Sequence, residues 1–237
     1  MKKYFLPALL WVLALVPALA QTELSTQVRP LEAFHAINIG TGIELELTAG
    51  HPQRVEVSAI SAEFREHILT TVTSGVLNIH YDNPDERDNR KLSRINKKLH
   101  VAVTADQLTA ITAGSGAKVT GTGSFATPDF QLDISSGASF KAALNVAVLI
   151  VRQNSGSVVS VSGQAPRFDL NINSGATFDG KELQTNRSQI EAGSGSSATL
   201  AVREVLLAEA SGGASIRYLG SPKLTKNVSG GGSVSGK

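Results

Sequence analysis

Seven copies of one short pattern divide the C-terminal part of this chain into blocks of nearly equal length. Each copy is a small residue, a glycine and another small residue, followed two places later by a side chain that suits a β-strand. The copies are Ser115-Gly116-Ala117, Ser136-Gly137-Ala138, Ser155-Gly156-Ser157, Ser174-Gly175-Ala176, Ser194-Gly195-Ser196, Gly212-Gly213-Ala214 and Gly230-Gly231-Gly232. Their central glycines lie 21, 19, 19, 20, 18 and 18 residues apart. A period near twenty is that of a solenoid, in which one repeat cannot bury its own apolar face and must stack on the next.

The flanking residues specify the kind of solenoid. Three places after each glycine stand Val119, Phe140, Val159, Phe178, Ala198, Ile216 and Val234. Three and five places before come pairs such as Ile111/Ala113, Leu132/Ile134, Leu170/Ile172 and Ile190/Ala192. Spacing by two is strand periodicity, and nothing recurs at the helical 3.6. A strand that reaches Ser-Gly, bends and resumes two residues later describes a corner of a parallel β-helix. Gly116, Gly137, Gly156, Gly175, Gly195, Gly213 and Gly231 form the expected corner ladder, because glycine reaches positive φ without a Cβ clash. Small neighbours would let successive corners stack at about 4.8 Å. A flexible Gly/Ser linker would lack these phased apolar positions.

The start of the chain bears on compartment. Lys2 and Lys3 precede an apolar run from Tyr4 to Leu19 that closes with Ala18-Leu19-Ala20. This is a charged n-region, a short h-region and an A-x-A site, so residues 1–20 read as a signal peptide rather than a membrane anchor. Its removal leaves 20 basic against 20 acidic residues, and neutrality argues against bulk attraction to nucleic acid or an anionic membrane. The chain has no cysteine, hence no disulfide, acylation site or thiolate metal site. The expected organisation is signal peptide 1–20, linker 21–33, β-rich part 34–105 and seven-repeat solenoid 106–237.

Residues 34–105 read as strands without a regular glycine phase. Ile37, Ile39, Ile43, Leu45 and Leu47 alternate with polar residues, Glu44 and Glu46 among them, and turns are expected at Gly50-His51-Pro52 and Ser74-Gly75. The region is expected to begin the solenoid or cap its first coil, since an open end would expose unpaired strand edges. Gly230 to Gly236 read as a last rung whose edge invites self-association.

One charge cluster stands out. An acidic stretch from Asp82 to Asp88 overlaps a basic one made of Arg87, Arg90, Lys91, Arg94, Lys97 and Lys98. One reading is a patch for anionic ligands such as acidic glycan or lipopolysaccharide phosphates. The other is a solvated hairpin loop between strands ending at Tyr81 and starting at Leu99. No aromatic residue interleaves with the basic ones to stack bases, and a nucleic-acid partner is not expected.

Catalytic and cofactor motifs are absent. Gly175 to Lys181 has the spacing of a phosphate-binding loop, but Glu182 stands where a hydroxyl is required. No G-x-S-x-G elbow occurs. His35, His51, His67, His80 and His100 lack metal-binding spacing, so no metal or cofactor is expected. A glycan-cleaving β-helix needs converging carboxylates. Asp129, Asp133, Asp169, Asp179, Glu182, Glu191, Glu204 and Glu209 read as out of phase with one another.

The Ser-Gly-Ala-x-Phe/Val blocks, the opening Phe34 to Leu47 (FHAINIGTGIELEL) and the closing Ile216 to Leu224 (IRYLGSPKL) resemble the head GIN domain of auto-transporter adhesins. The resemblance spans residues 30–236 and implies an exported β-helical protein of a Gram-negative-type envelope, in the periplasm or at the outer surface. It supplies no catalytic or ligand-binding residue. An auto-transporter carries a C-terminal membrane barrel, and no strands of that kind follow here. The expectation is thus an all-β parallel solenoid acting as a non-enzymatic structural or adhesive envelope protein. A binding module for envelope glycan or lipopolysaccharide is the second reading, and a carbohydrate-active β-helix enzyme the third.

Overall fold

The computed structural model describes residues 24–83, 85 and 95–237. The expected signal peptide lies outside them, as do Arg87, Arg90, Lys91 and Arg94 of the basic cluster. Nearly all of the regular structure is strand, and the strands form a parallel β-solenoid. Its main body comprises β8 (Ala110–Ala113), β9 (Lys118–Ile134), β10 (Ser139–Gln153), β11 (Val158–Gln164), β12 (Arg167–Ile172), β13 (Thr177–Ala192), β14 (Ser197–Ala210), β15 (Ser215–Leu219), β16 (Lys223–Val228) and β17 (Ser233–Gly236). Every pairing among these ten strands is parallel.

The register follows the sequence phase. Val119, Phe140, Val159, Phe178, Ala198, Ile216 and Val234 stand opposite one another from coil to coil. All but the last, which is half-buried, are buried. A second inward column runs through Ile134, Gln153, Ile172 and Ala192 on the flank that precedes the corner. Between these two flanks each coil bends through a middle segment, marked by register shifts such as those between Lys141 and Ala143 and between Ser160 and Gly163. Phe125, Leu144, Leu183 and Leu200 fill the interior there. The core is therefore one continuous column inside stacked coils, apolar except for buried polar residues such as Gln153 and Thr185. Phe168 and Phe178 meet in it with ring centroids 5.1 Å apart and planes inclined at 26°.

The region before the repeats both starts the solenoid and caps it. β2 (Ala36–Ile39) and β3 (Glu44–Ala49) lie parallel to β8 and β9 and form a rung in register with them. Their corner is Thr41-Gly42, with φ of 60° and 67°. This is an eighth corner in the same phase, Ile37-x-Ile39-Gly40-Thr41-Gly42-Ile43-x-Leu45, with the buried Ile43 where the repeats carry a small residue. Its separation from the next copy hides it from a search at period twenty. The chain then passes to the other side of that rung. β6 (Val76–Tyr81) pairs parallel with β2, and β7 (His100–Ala105) parallel with β3. The first rung is thus sandwiched between two later ones.

Antiparallel strands close this end. β4 (Arg54–Ala59) runs against β7, β1 (Ser25–Arg29) against β4, and β5 (Ile68–Thr73) against β6. Reversing strand direction ends the parallel stack. One helical turn, α1 (Ala62–Glu66), connects β4 and β5, with Ser61 as N-cap accepting from the Phe64 amide at 3.3 Å and Phe64 buried beneath it. Among the described residues, no helix is long and apolar enough to cross a membrane.

The hairpin reading of the segment after Tyr81 is overturned. β6 pairs with β5 and β2, whereas β7 pairs with β3 and β4. β6 and β7 therefore do not pair with each other as a hairpin would require.

Candidate functional site

The corner ladder is built from two consecutive left-handed residues. Ser115, Ser136, Ser155, Ser174 and Ser194 have φ between 49° and 54°, and the glycine after each lies near 70°. Positive φ at both central residues is a type I′ turn. It is closed by bonds such as Ala117 N donating to Gly114 O at 3.0 Å. The amide of each corner glycine points along the rod instead. Gly116 donates to Ser136 O, Gly137 to Ser155 O, Gly156 to Ser174 O and Gly175 to Ser194 O, each at 3.0 Å. Gly195 donates to Gly212 O at 2.9 Å, and Gly213 to Gly230 O at 3.0 Å. Gly231 repeats the positive φ in the last rung.

Crowding between corners is not what selects glycine there. A Cβ on Gly116, Gly137, Gly156, Gly175, Gly195 or Gly213 would meet nothing within 4 Å. The positive φ alone demands them, as the sequence reading expects. Small residues are needed one place later. Ala117, Ala138, Ser157, Ala176, Ser196 and Ala214 point into the narrow interior of the bend and are buried. The two serines among them satisfy their hydroxyls by donating to the Ile134 and Ile172 carbonyls, both at 3.0 Å.

Of the basic cluster, the described residues include Lys97 and Lys98. Lys97 Nζ lies 5.9 Å from the Phe64 ring centroid and 5.7 Å from that of Tyr81, while its carbonyl accepts from the Ile60 amide at 3.0 Å. It packs against the cap. Lys98 is exposed, with φ of 48° and its amide donating to Asn96 Oδ1 at 3.1 Å.

The carboxylates are better ordered than the sequence reading allows. Asp133, Glu191 and Glu209 all lie four places before a repeat glycine, and the register puts them in one outward column with Arg152, Asn171 and Asn227. The column is tied by hydrogen bonds. Asn171 Nδ2 donates to Glu191 Oε2 at 3.0 Å, Gln131 Nε2 to Asp133 Oδ2 at 2.6 Å, and Arg152 pairs with Asp133 at 3.6 Å. These groups hold one another along a flat flank.

A second polar constellation lies where the coils bend from the corner-following flank into the middle segment. A groove of roughly 470 Å³ runs there across four coils, from Gly121 to Glu182. Lys141, Ser160 and Asp179 share one phase, four places after a glycine, and stand opposite one another in register. That shared phase was the sequence signal for the groove. Lys181 pairs with Asp179 at 3.2 Å, and Glu182 and Ser162 complete the polar lining. The stretch Gly175 to Lys181 is turn and strand, with Lys181 inside β13, so it has no loop-to-helix phosphate cradle.

The histidines are dispersed: His51 Nε2 lies 2.8 Å from Asp106, His67 Nδ1 2.9 Å from the Asp82 carbonyl, and His100 Nε2 3.6 Å from Glu46. Among the described residues, no three His, Cys, Asp or Glu side chains gather in a way that could hold a metal ion.

Stacked coils, a closed N-terminal end and polar grooves on the outside define a capped parallel β-solenoid. Residues 33–222 match the family described as "Putative auto-transporter adhesin, head GIN domain", and the chain belongs to that family. Solved structures share the fold. A "putative adhesin" from Bacteroides fragilis superposes with a TM-score of 0.78 at 19% identity, covering 91% of this chain and 96% of its own. A "putative adhesin" from Parabacteroides distasonis gives 0.73 at 16% identity, with 91% and 97% covered. A "putative lipid binding protein" from the same organism gives 0.69 at 13%, with 92% and 98% covered. No curated protein matches the chain.

Proposed function

We propose that the protein is exported and works as an adhesive or structural rod of the cell envelope, without catalysis, in the periplasm or at the outer surface. The corner ladder carries this reading. It fixes outward side chains at a constant step of about 4.8 Å along the rod, so that many weak contacts can act together. Membership of the adhesin head family supports it. Microspheres coated with the purified protein should bind to cells or cell-envelope preparations more strongly than spheres coated with an unrelated β-solenoid. Equal binding by both would reject adhesion.

The second reading, a module for envelope glycan or lipopolysaccharide, draws support from the polar groove between Lys141 and Glu182 rather than from the basic cluster. Self-association belongs to the same proposal. Among the described residues, β16 and β17 are each bordered by one strand, β14 and β15, and a free edge can template a further strand. Light scattering across a concentration series should show association that Val234→Lys weakens. A monomer at every concentration would reject it.

A further inference from the structure

We propose that the groove between the corner-following flank and the middle segment binds an extended, neutral polysaccharide lying along the rod. The inference rests on the adhesive reading and names its ligand class.

Three observations carry it. The first is geometry: the groove spans four coils, so it is about 14 Å long at the inter-strand step. It therefore suits a polymer better than a small compact ligand. The second is chemistry. The lining combines the ammonium groups of Lys141 and Lys181, the carboxylates of Asp179 and Glu182 and the hydroxyls of Ser160 and Ser162. Two positive and two negative groups cancel, so the groove has no net attraction for an acidic or a basic chain. What remains is a dense row of hydrogen-bond acceptors and donors. Carboxylates accept from sugar hydroxyls, whereas ammonium groups donate to hydroxyl and ring oxygens. The third is repetition. Lys141, Ser160 and Asp179 occupy equivalent positions on successive coils, about 4.8 Å apart, so successive units of an extended polymer can each reach one polar side chain.

Lys181 is held by Asp179, through its Nζ at 3.2 Å and its backbone amide at 3.3 Å. That contact pre-orients the carboxylate. Lys141 is exposed on the opposite side of Ser160, so its ammonium can turn to the ligand without breaking the strand ladder.

The test is affinity electrophoresis of the folded protein in gels containing a soluble neutral polysaccharide. Galactomannan, mixed-linkage β-glucan and dextran serve as separate probes, and hyaluronan as the acidic comparison. At least one neutral probe should retard the protein. Lys141→Ala and Glu182→Gln should each weaken that retardation about tenfold with thermal unfolding unchanged, while Glu209→Gln on the other flank should behave as the parent. Free migration in all three neutral gels, parent-like retardation of both groove variants, or retardation by hyaluronan alone would overturn the proposal. Release of new reducing ends would overturn the non-catalytic reading instead. Coated microspheres separate the two levels: if parent and Lys141→Ala spheres adhere equally, adhesion stands and the groove assignment fails.

Discussion

The Gly42 amide donates to the Ser115 carbonyl at 2.9 Å, although β4, α1, β5, β6 and β7 lie between them in the chain. The bond is the first step of the ladder that continues from Gly116 to Ser136 and on to Gly230. The corner column thus runs from the cap to the last rung without a break, and the cap strands are an insertion within it.

Amide exchange should make this visible. Gly42 is exposed by position, yet its amide should exchange as slowly as that of Gly137 or Gly175, because each is bonded to the next coil. Exchange at Gly42 as fast as in an open loop would place it outside the ladder.

Two glycines of different kinds should respond differently to alanine. At Gly175 the new Cβ meets open space, and only the left-handed φ of 69° resists it. Gly175→Ala should cost about 1 kcal/mol. Gly163 combines a φ of 103° with a Cβ that would run into the Leu144 carbonyl, so Gly163→Ala should cost about 2–4 kcal/mol. Urea denaturation of both variants checks the order, and a larger loss at Gly175 would contradict this account of the corner.

Much of this was legible in the sequence because a parallel stack repeats the same local chemistry at a fixed period. The inward positions of Phe140 and Phe178, the flanking Ile and Leu pairs and the Ser-Gly corners all follow from phase alone. The corner at Thr41-Gly42 did not emerge, because the inserted cap removes its period and Ile43 replaces the small residue that follows the other corner glycines. Ser74-Gly75 shows the limit from the other side. It adopts the same left-handed pair, with φ of 52° and 75°, yet it turns the β5–β6 hairpin, since the strand that follows it pairs back on the one before. The groove was legible only in part: the shared phase of Lys141, Ser160 and Asp179 stands in the sequence, but the register shift that opens the groove beside them is not written in the apolar pattern.

The core column predicts a steep penalty for truncation. Phe140 is 2% exposed and lies between Val119 and Val159 in the stack. Phe140→Ala should cost about 3–5 kcal/mol by leaving a cavity that the neighbouring coils cannot close. A loss below about 1 kcal/mol in chemical denaturation would mean that the ring does not pack inward.

Arg65 clasps the cap together. Arg65 donates to Ser25 Oγ at 2.7 Å and to Glu66 Oε1 at 2.6 Å, joining α1 to β1. That hydrogen bond is the main reason the Glu66 carboxyl is held below its ordinary value, with desolvation opposing it and the charges of Arg65, Arg29 and His67 assisting. A depressed folded-state pKa contributes stability above the ordinary carboxylate range, and that contribution is lost as pH falls through the depressed value. Amide protection in β1 should therefore weaken on acidification, and Glu66→Gln should flatten the dependence. Because Glu66 is exposed, the effect should be small and should shrink in high salt. An identical pH profile in the variant would remove the clasp from the account.

The central claim, that this solenoid is an exported rod displaying its flanks to partners, is tested most directly by protease shaving of intact native cells followed by fractionation and mass spectrometry. The account predicts that the chain begins at Gln21 and is recovered from the envelope, with peptides released from intact cells if the rod stands at the outer surface and only after the outer envelope is broken if it stands in the periplasm. Recovery of the protein from the cytosol with residues 1–20 still attached would contradict export, and complete protection until the outer envelope is broken would contradict an adhesive role at the surface.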